Sequence, residues 1–215
     1  MFIKITLFNN NVMTIEDRIE REKQELRELI LKTAADMFRK HGYERTSMRA
    51  IATAIEYSPG TIYRYFKDKN ELMFEISSNG FRIFYKYLNE VRKIEDPMER
   101  LKVLGQQYIL FAKDHPAYYD LMFIMPDPLK SLNEGEHWED GHRSHGVLVG
   151  VIKECMKAGH FRDHDPIDLS LVIWGQVHGM VALHIRNRLE MYTEKEPEVL
   201  LMDALDAFNR IISKT

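Results

Sequence analysis

The 215-residue chain is 45% hydrophobic and 29% charged with a net charge of −3, a globular balance that excludes disordered and nucleic-acid-coating polymers. Its single cysteine, Cys155, excludes an internal disulfide and a cysteine-rich metal site and suits a reducing compartment. No run of purely apolar residues approaches the roughly 20 needed to span a bilayer, so a cytoplasmic protein without a membrane partner is expected.

Residues 1–15 are expected to form a disordered tail, since Phe2 to Phe8 is too short for a signal peptide and runs into three asparagines. From Glu16 to His41 a long helix is predicted, with Leu26, Leu29, Ile30, Ala34, Met37 and Phe38 as its apolar stripe and Gly42 as its stop. Thr46 and Ser47 are N-cap candidates for a short second helix reaching Ala54. Ser58-Pro59 opens a third, and Asp68 with Glu71 three residues on opens a fourth running to about Val91. Asp96-Pro97 starts a helix ending before His115-Pro116. Pro126 and Pro128 frame a loop reaching into the 135–141 region. Val147, Leu148, Val151, Ile152, Cys155 and Met156 mark another helix, closed by Gly159. Asp165-Pro166 begins a long apolar helix to about Leu189, and a last helix runs from near Pro197 to Ile212. No stretch alternates with the two-residue period of a strand, so an all-α protein of about nine helices is predicted.

The chemistry concentrates in residues 46–72. Between Arg39 and Lys69 seven basic residues face three acidic ones, an excess of four positive charges inside an acidic protein. Two short helices joined by a tight turn, with hydroxyl and basic groups on the second, describe a helix-turn-helix. Ile51, Ala52, Ile55, Ile62, Phe66 and Leu72 supply the apolar lock that such a unit needs. Arg49 is placed to read a guanine edge, Thr61 to meet a phosphate or a thymine methyl, and Tyr63 and Tyr65 to reach phosphates or bases. Lys69 stands at a helix start, where free N–H groups add to its grip on phosphate.

The segment Phe38…His41-Gly42-Tyr43…Thr46-Ser47-Met48-Arg49-Ala50-Ile51-Ala52…Ser58-Pro59-Gly60-Thr61-Ile62-Tyr63-Arg64-Tyr65-Phe66-Lys67-Asp68-Lys69-Asn70-Glu71-Leu72 closely resembles the DNA-binding domain of the tetracycline-repressor (TetR) family over about residues 26–73. The resemblance implies a helix-turn-helix domain over 16–73 and a helical ligand-binding and dimerisation domain over 74–215. It places Ser47, Arg49, Ser58, Thr61, Tyr63, Tyr65 and Lys69 where members of the family often touch DNA. It implies a homodimer on an operator duplex, released by a small-molecule inducer, with repression the commoner outcome. The chain departs from the family at Ile55-Glu56-Tyr57, where Ala-Gly-Val is usual. A glutamate there costs about 1 kcal/mol if the position needs positive φ, and it sets a negative charge near the DNA face. A runner-up reading follows from it: an adaptor or ligand-binding protein that keeps the fold without sequence-specific DNA binding.

In the C-terminal part Phe111, Tyr118, Phe123, Trp174 and His178 are the candidate ligand-binding residues, His178 as a polar anchor in an apolar pocket. For each of them ordinary core packing is the competing reading. Trp174-Gly175-Gln176-Val177-His178-Gly179 resembles the Trp…His-Gly signature of one C-terminal subgroup. Gly175, Gly179 and the apolar side chains of the last helix point to a two-helix face able to pair across a dyad. His137, His142 and His145 beside Glu139 and Asp140, and His160 and His164 beside Asp163 and Asp165, are weighed as metal ligands and set aside as loop residues. No phosphate loop, nucleophile elbow or zinc-protease motif is present, so neither catalysis nor a cofactor is expected.

Overall fold

The computed structural model describes residues 14–125, 139–192 and 194–213; the expected N-terminal tail, the Pro126–Pro128 loop and His137 fall largely outside these. Among the described residues there are nine α-helices and no strand. They are α1 (Ile15–His41), α2 (Met48–Ala54), α3 (Pro59–Tyr63), α4 (Lys69–Asn89), α5 (Pro97–Asp114), α6 (Pro116–Tyr119), α7 (Glu139–Lys157), α8 (Pro166–Ile185) and α9 (Pro197–Ile212). A π-helical turn, Asp120–Ile124, continues α6, and short 3₁₀ turns follow α4 and α8.

Local chemistry places most boundaries. Thr14 and Asp17 form a reciprocal capping box at the start of α1, with Thr14 Oγ1 accepting from Asp17 N–H at 3.1 Å and Asp17 Oδ2 accepting from Thr14 N–H at 3.0 Å. Those bonds hold the Asp17 carboxyl below its usual pKa. Ser47 caps α2, Ser58 caps α3 and Asp68 caps α4, each side chain accepting a first-turn N–H. Glu71 turns to the Lys67 N–H rather than to its cap residue, so the expected box is only half built. Gly42 (φ 84°) and Gly159 (φ 101°) end α1 and follow α7 in the positive-φ region that glycine enters without steric cost.

The N-terminal helices pack as the apolar pattern requires. Ile30, Leu31, Ala34, Ala35 and Phe38 of α1 bury against Ile51, Ala52, Ile55, Ile62, Phe66 and Leu72. Leu29, expected on the stripe, is 43% exposed, while Leu31 and Ala35 take the buried face. α4 serves both halves of the molecule: it packs on α1 at one end and on α5 and α7 along its length. The boundary drawn at residue 73 therefore falls inside one continuous helix, and a single apolar cluster runs from Ile30 to Leu205.

Two expectations are corrected, and one helical segment was not anticipated. Residues 139–146 are the first turns of α7 rather than loop, so His142 and His145 stand on a helix. α8 ends at Ile185, where Asn187 turns left-handed (φ 55°) and a 3₁₀ turn carries the chain through Leu189. Residues 116–124 are helical, a short segment whose apolar residues carry no clear period.

The turn between α2 and α3 answers the question that Glu56 raises. Its φ is 60°. Tyr57 N–H donates to Ala52 O at 2.9 Å and Glu56 N–H to Thr53 O at 3.1 Å, the paired bonds of a Schellman closure with Glu56 in the left-handed seat. An L-residue with a Cβ is strained there. Glu56→Gly is therefore expected to raise stability by about 0.5–1 kcal/mol, net of glycine's larger entropy in the unfolded chain. Denaturant titration of the two proteins at equal concentration checks this; an unchanged or lower midpoint refutes it.

Candidate DNA interface and ligand cavity

The helix-turn-helix presents one polar, basic face. Ser47 Oγ and Ser58 Oγ are each spent as acceptors on cap N–H groups, at 3.1 and 3.2 Å, which leaves the Ser47 hydroxyl proton to donate outward. Ser58 Oγ also lies 3.0 Å from Thr61 Oγ1, joining the two hydroxyls at the first turn of α3. Arg49 is exposed on α2, and Tyr63 projects from α3 at 54% exposure. Tyr65 is half-buried and packs on the core with its ring beside Phe66. Lys69 is held: its ammonium lies 4.1 Å from the Tyr43 ring centroid and donates to Tyr43 O at 2.9 Å. That leaves two of its N–H donors beside the α4 N-terminus. Among the described residues none of the basic side chains between Arg39 and Lys69 sits in an ion pair, in contrast to Arg27, Arg82 and Arg100 elsewhere. Their field is left for an external anion. Glu56 is exposed in the same turn and opposes it.

The C-terminal helices line a partly open cavity of about 260 Å³. Phe81 and Phe84 of α4, Leu104 and Tyr108 of α5, and Phe123 of the π turn form one side. His145 and Leu148 of α7, Trp174 and Val177 of α8, and Leu205 and Asn209 of α9 form the other. Phe123 is central: its ring stands edge-on to Phe81 at 5.5 Å and Phe84 at 5.8 Å and meets Trp174 at 6.2 Å. The π turn that carries it is anchored by Asp120, buried and paired to Arg186 Nη2 at 2.7 Å.

Of the five expected pocket residues, the structure brings Phe123 and Trp174 to the cavity. His178 stands behind the wall: Tyr119 Oη lies 2.8 Å from its Nδ1, and Tyr108 Oη lies 3.1 Å from the same nitrogen. Trp174 Nε1–H donates to Tyr108 Oη at 3.2 Å, which ties the cavity wall to this cluster. Burial lowers the His178 pKa, pushes Tyr108 up to about 12 and raises Tyr119 as well, so the cluster is neutral near pH 7. Phe111 and Tyr118 lie elsewhere. Phe111 is fully buried against Phe84, Tyr87 and His115, and Tyr118 packs under α4 with Asn79 Nδ2–H donating to its hydroxyl at 3.0 Å. Sequence reasoning passed over Tyr108, Phe84 and Asn209 and considered His145 only as a metal ligand. Asn209 carried a legible signal, as a polar residue beside Leu201, Leu205 and Phe208 on the inward stripe of α9.

His145 Nε2 lies 2.9 Å from Ser170 Oγ, whose proton goes to Ile167 O at 2.6 Å, so the imidazole donates and its Nδ1 keeps a lone pair. Among the described residues no three His, Cys, Asp or Glu side chains converge as a metal site.

α8 is apolar on both sides. Ile173, Val177 and Val181 face inward, while Ile167, Leu171, Val172 and Leu183 are exposed. By length and composition alone α8 is apolar enough to cross a membrane. Val199, Met202 and Ile211 of the adjoining α9 are exposed as well, and nothing lies within 4 Å of the Cβ positions of Gly175 and Gly179.

The sequence signature of bacterial regulatory proteins of the tetR family matches residues 30–76, and that of the tetracyclin repressor-like C-terminal domain matches residues 101–208, half of the chain. The HTH-type transcriptional repressor KstR2 of Mycobacterium tuberculosis is 27% identical over 156 residues, spanning 71% of this chain and 78% of that protein. The fold is similar to that of the fatty acid degradation regulator FadR from Bacillus halodurans, with a TM-score of 0.70 at 18% identity over 84% of this chain and 92% of that one. It is also similar to FadR from Bacillus subtilis in complex with stearoyl-CoA, with a TM-score of 0.68 at 17% identity over 83% and 95% of the two chains.

Proposed function

From a chain that belongs to the tetR family of bacterial regulatory proteins, and is thereby a DNA-binding transcriptional regulator, we infer a homodimeric cytoplasmic repressor that a small molecule in the C-terminal cavity releases from its operator. The basic side chains in and around the helix-turn-helix, Arg39 to Lys69, which sit in no ion pair among the described residues, are the observation that carries the DNA-binding half of this reading. Ser47, Arg49, Ser58, Thr61, Tyr63, Tyr65 and Lys69 are its proposed contacts. The exposed apolar faces of α8 and α9 support pairing of two chains rather than membrane insertion, because a two-fold bundle buries both at once. Such pairing also sets two α3 helices for half-sites about 34 Å apart.

Release follows from α4. The helix lines the cavity through Phe81 and Phe84 and begins at Lys69, directly after the recognition segment. A ligand that fits a tilted α4 better than the resting one shifts the dimer toward recognition-helix spacings that miss the operator, by its difference in affinity for the two states. That the B. subtilis FadR structure holds stearoyl-CoA supports a small-molecule site in this fold. Phe123, Trp174 and, through Tyr108, His178 are the proposed ligand residues from the expected set, and the run from Trp174 to Gly179 supports the Trp…His-Gly subgroup as our reading of this domain. No feature of the cavity calls for catalysis: Tyr108 and His145 serve structural hydrogen bonds.

Fluorescence anisotropy with duplex DNA from upstream of the coding region, against scrambled duplex over a salt series, tests the reading. Specific binding as a dimer, falling steeply with salt through several phosphate contacts, supports it. Equal weak binding to both duplexes, repeated on genome-selected DNA and with Glu56→Gly, overturns it in favour of an adaptor that keeps the fold.

A further inference from the structure

The cavity wall is specific about charge. Among the described residues no Lys, Arg, Asp or Glu side chain lines it. A carboxylate or phosphate drawn inside would lose its hydration with no cation to replace it. Its volume of about 260 Å³ exceeds the roughly 150 Å³ that holds benzene in an apolar protein cavity, which suits two fused rings or a chain of similar bulk.

Two polar side chains in this wall make no hydrogen bond among the described residues, the exposed His142 and the buried Asn209. Asn209 is 7% exposed. Its backbone carbonyl takes the bonds from Ser213, but among the described residues its carboxamide has no hydrogen-bond partner. It differs from Ser77 Oγ and Asn89 Oδ1, which are sealed in without partners. The Asn209 amide keeps accessible surface, and in so buried a residue that surface is the cavity's. Its neighbours Phe208 and Ile212 pack on the cluster containing Leu101 and Ile173, one turn from the Ser170 that holds His145. The polar end of the cavity therefore lies beside the second turn of α8, and the aromatic end lies at Phe123.

We propose that the cavity selects an uncharged, mainly hydrocarbon ligand carrying one carbonyl or hydroxyl group, and that the Asn209 carboxamide is the residue that recognises this group. The proposal rests on the ligand-release reading and sharpens it: the aromatic end supplies affinity, and Asn209 supplies the discrimination between a ketone or alcohol and the bare hydrocarbon. Burial also lowers the His145 pKa, so this neighbour adds no positive charge that could attract an anion near pH 7.

Isothermal titration calorimetry of the full chain at pH 7.5 with naphthalene, 2-acetylnaphthalene and 2-naphthoate tests it, the three probes sharing one ring system. The expected result is 2-acetylnaphthalene bound about tenfold more tightly than naphthalene, the worth of one hydrogen bond to a desolvated amide, with 2-naphthoate the weakest of the three. In Asn209→Leu the preference for the ketone falls to about one while naphthalene still binds. Asn209→Ser, which removes the amide without adding bulk, guards against a leucine that merely blocks the site, and the same loss is expected. A ketone preference that survives both substitutions overturns the role of Asn209. A naphthoate that binds as tightly as the ketone overturns the uncharged class. No binding of any probe overturns the cavity reading itself, and so separates that failure from the other two.

Discussion

Arg49→Ala is expected to weaken operator binding by about 30-fold to 10⁴-fold, because a bidentate arginine–guanine contact contributes about 1–3 kcal/mol and a dimer loses two of them. The physical basis is the freedom of the side chain. Arg49 is exposed at the start of α2, behind the Ser47 cap, and among the described residues nothing pairs with it. It therefore approaches DNA without first breaking an ion pair. Lys69→Ala is the informative contrast. Its ammonium is already shared with the Tyr43 ring and carbonyl, so its loss should weaken specific and scrambled duplex alike and lower the salt slope by about one per subunit. Anisotropy on both duplexes measures the difference. If Arg49→Ala lowers the two affinities equally, the residue grips phosphate and does not read bases.

Phe111→Ala is expected to destabilise the protein by about 3–5 kcal/mol, the range for deleting a fully buried aromatic ring from a packed core. The ring has 0% exposure and lies 4.9 Å from Phe84, 5.7 Å from Tyr87 and 5.5 Å from His115 between ring centroids. Its loss leaves a void that helices α4 and α5 cannot close without moving. Trp174→Ala is expected to act differently, removing a cavity wall that is already half-exposed and lowering probe affinity more than stability. Denaturant unfolding at fixed protein concentration, since subunit association is linked to folding, reads the first effect and calorimetry the second. A Phe111→Ala protein that keeps its unfolding midpoint but no longer binds the cavity probes would return Phe111 to the ligand site.

The two halves of the molecule differ in how far their sequence could be read. In residues 46–72 every helix start depends on a cap within three residues of the N–H it satisfies: Ser47 on Ala50, Ser58 on Thr61, Asp68 on Glu71. Ile51, Ala52 and Ile62 of the apolar lock lie on α2 and α3, helices too short to offer a second buried face. Such interactions are local, so chain order displays them. Even the strain at Glu56 was legible as a glutamate in a glycine's place; the structure added its φ of 60° and the Schellman bonds.

The cavity was not legible in the same way, because its walls come from α4, α5, the π turn, α7, α8 and α9, which lie far apart along the chain. Phe111 and Phe123 look alike as apolar aromatic residues, yet one is core and the other cavity wall. What separates them is the packing of α5 beneath α4 and a π turn that departs from the 3.6-residue period on which a sequence reading depends. α8 shows the same limit, since an apolar residue on it faces either the cavity or the open surface according to which neighbours cover it. The sequence by itself determined the class, the order of the other helices and the DNA-reading segment, through caps and periodicity acting over a few residues. Only the tertiary structure decided which aromatic rings surround empty space and that Asn209 faces it without a partner, because those facts depend on where helices distant in sequence come to rest.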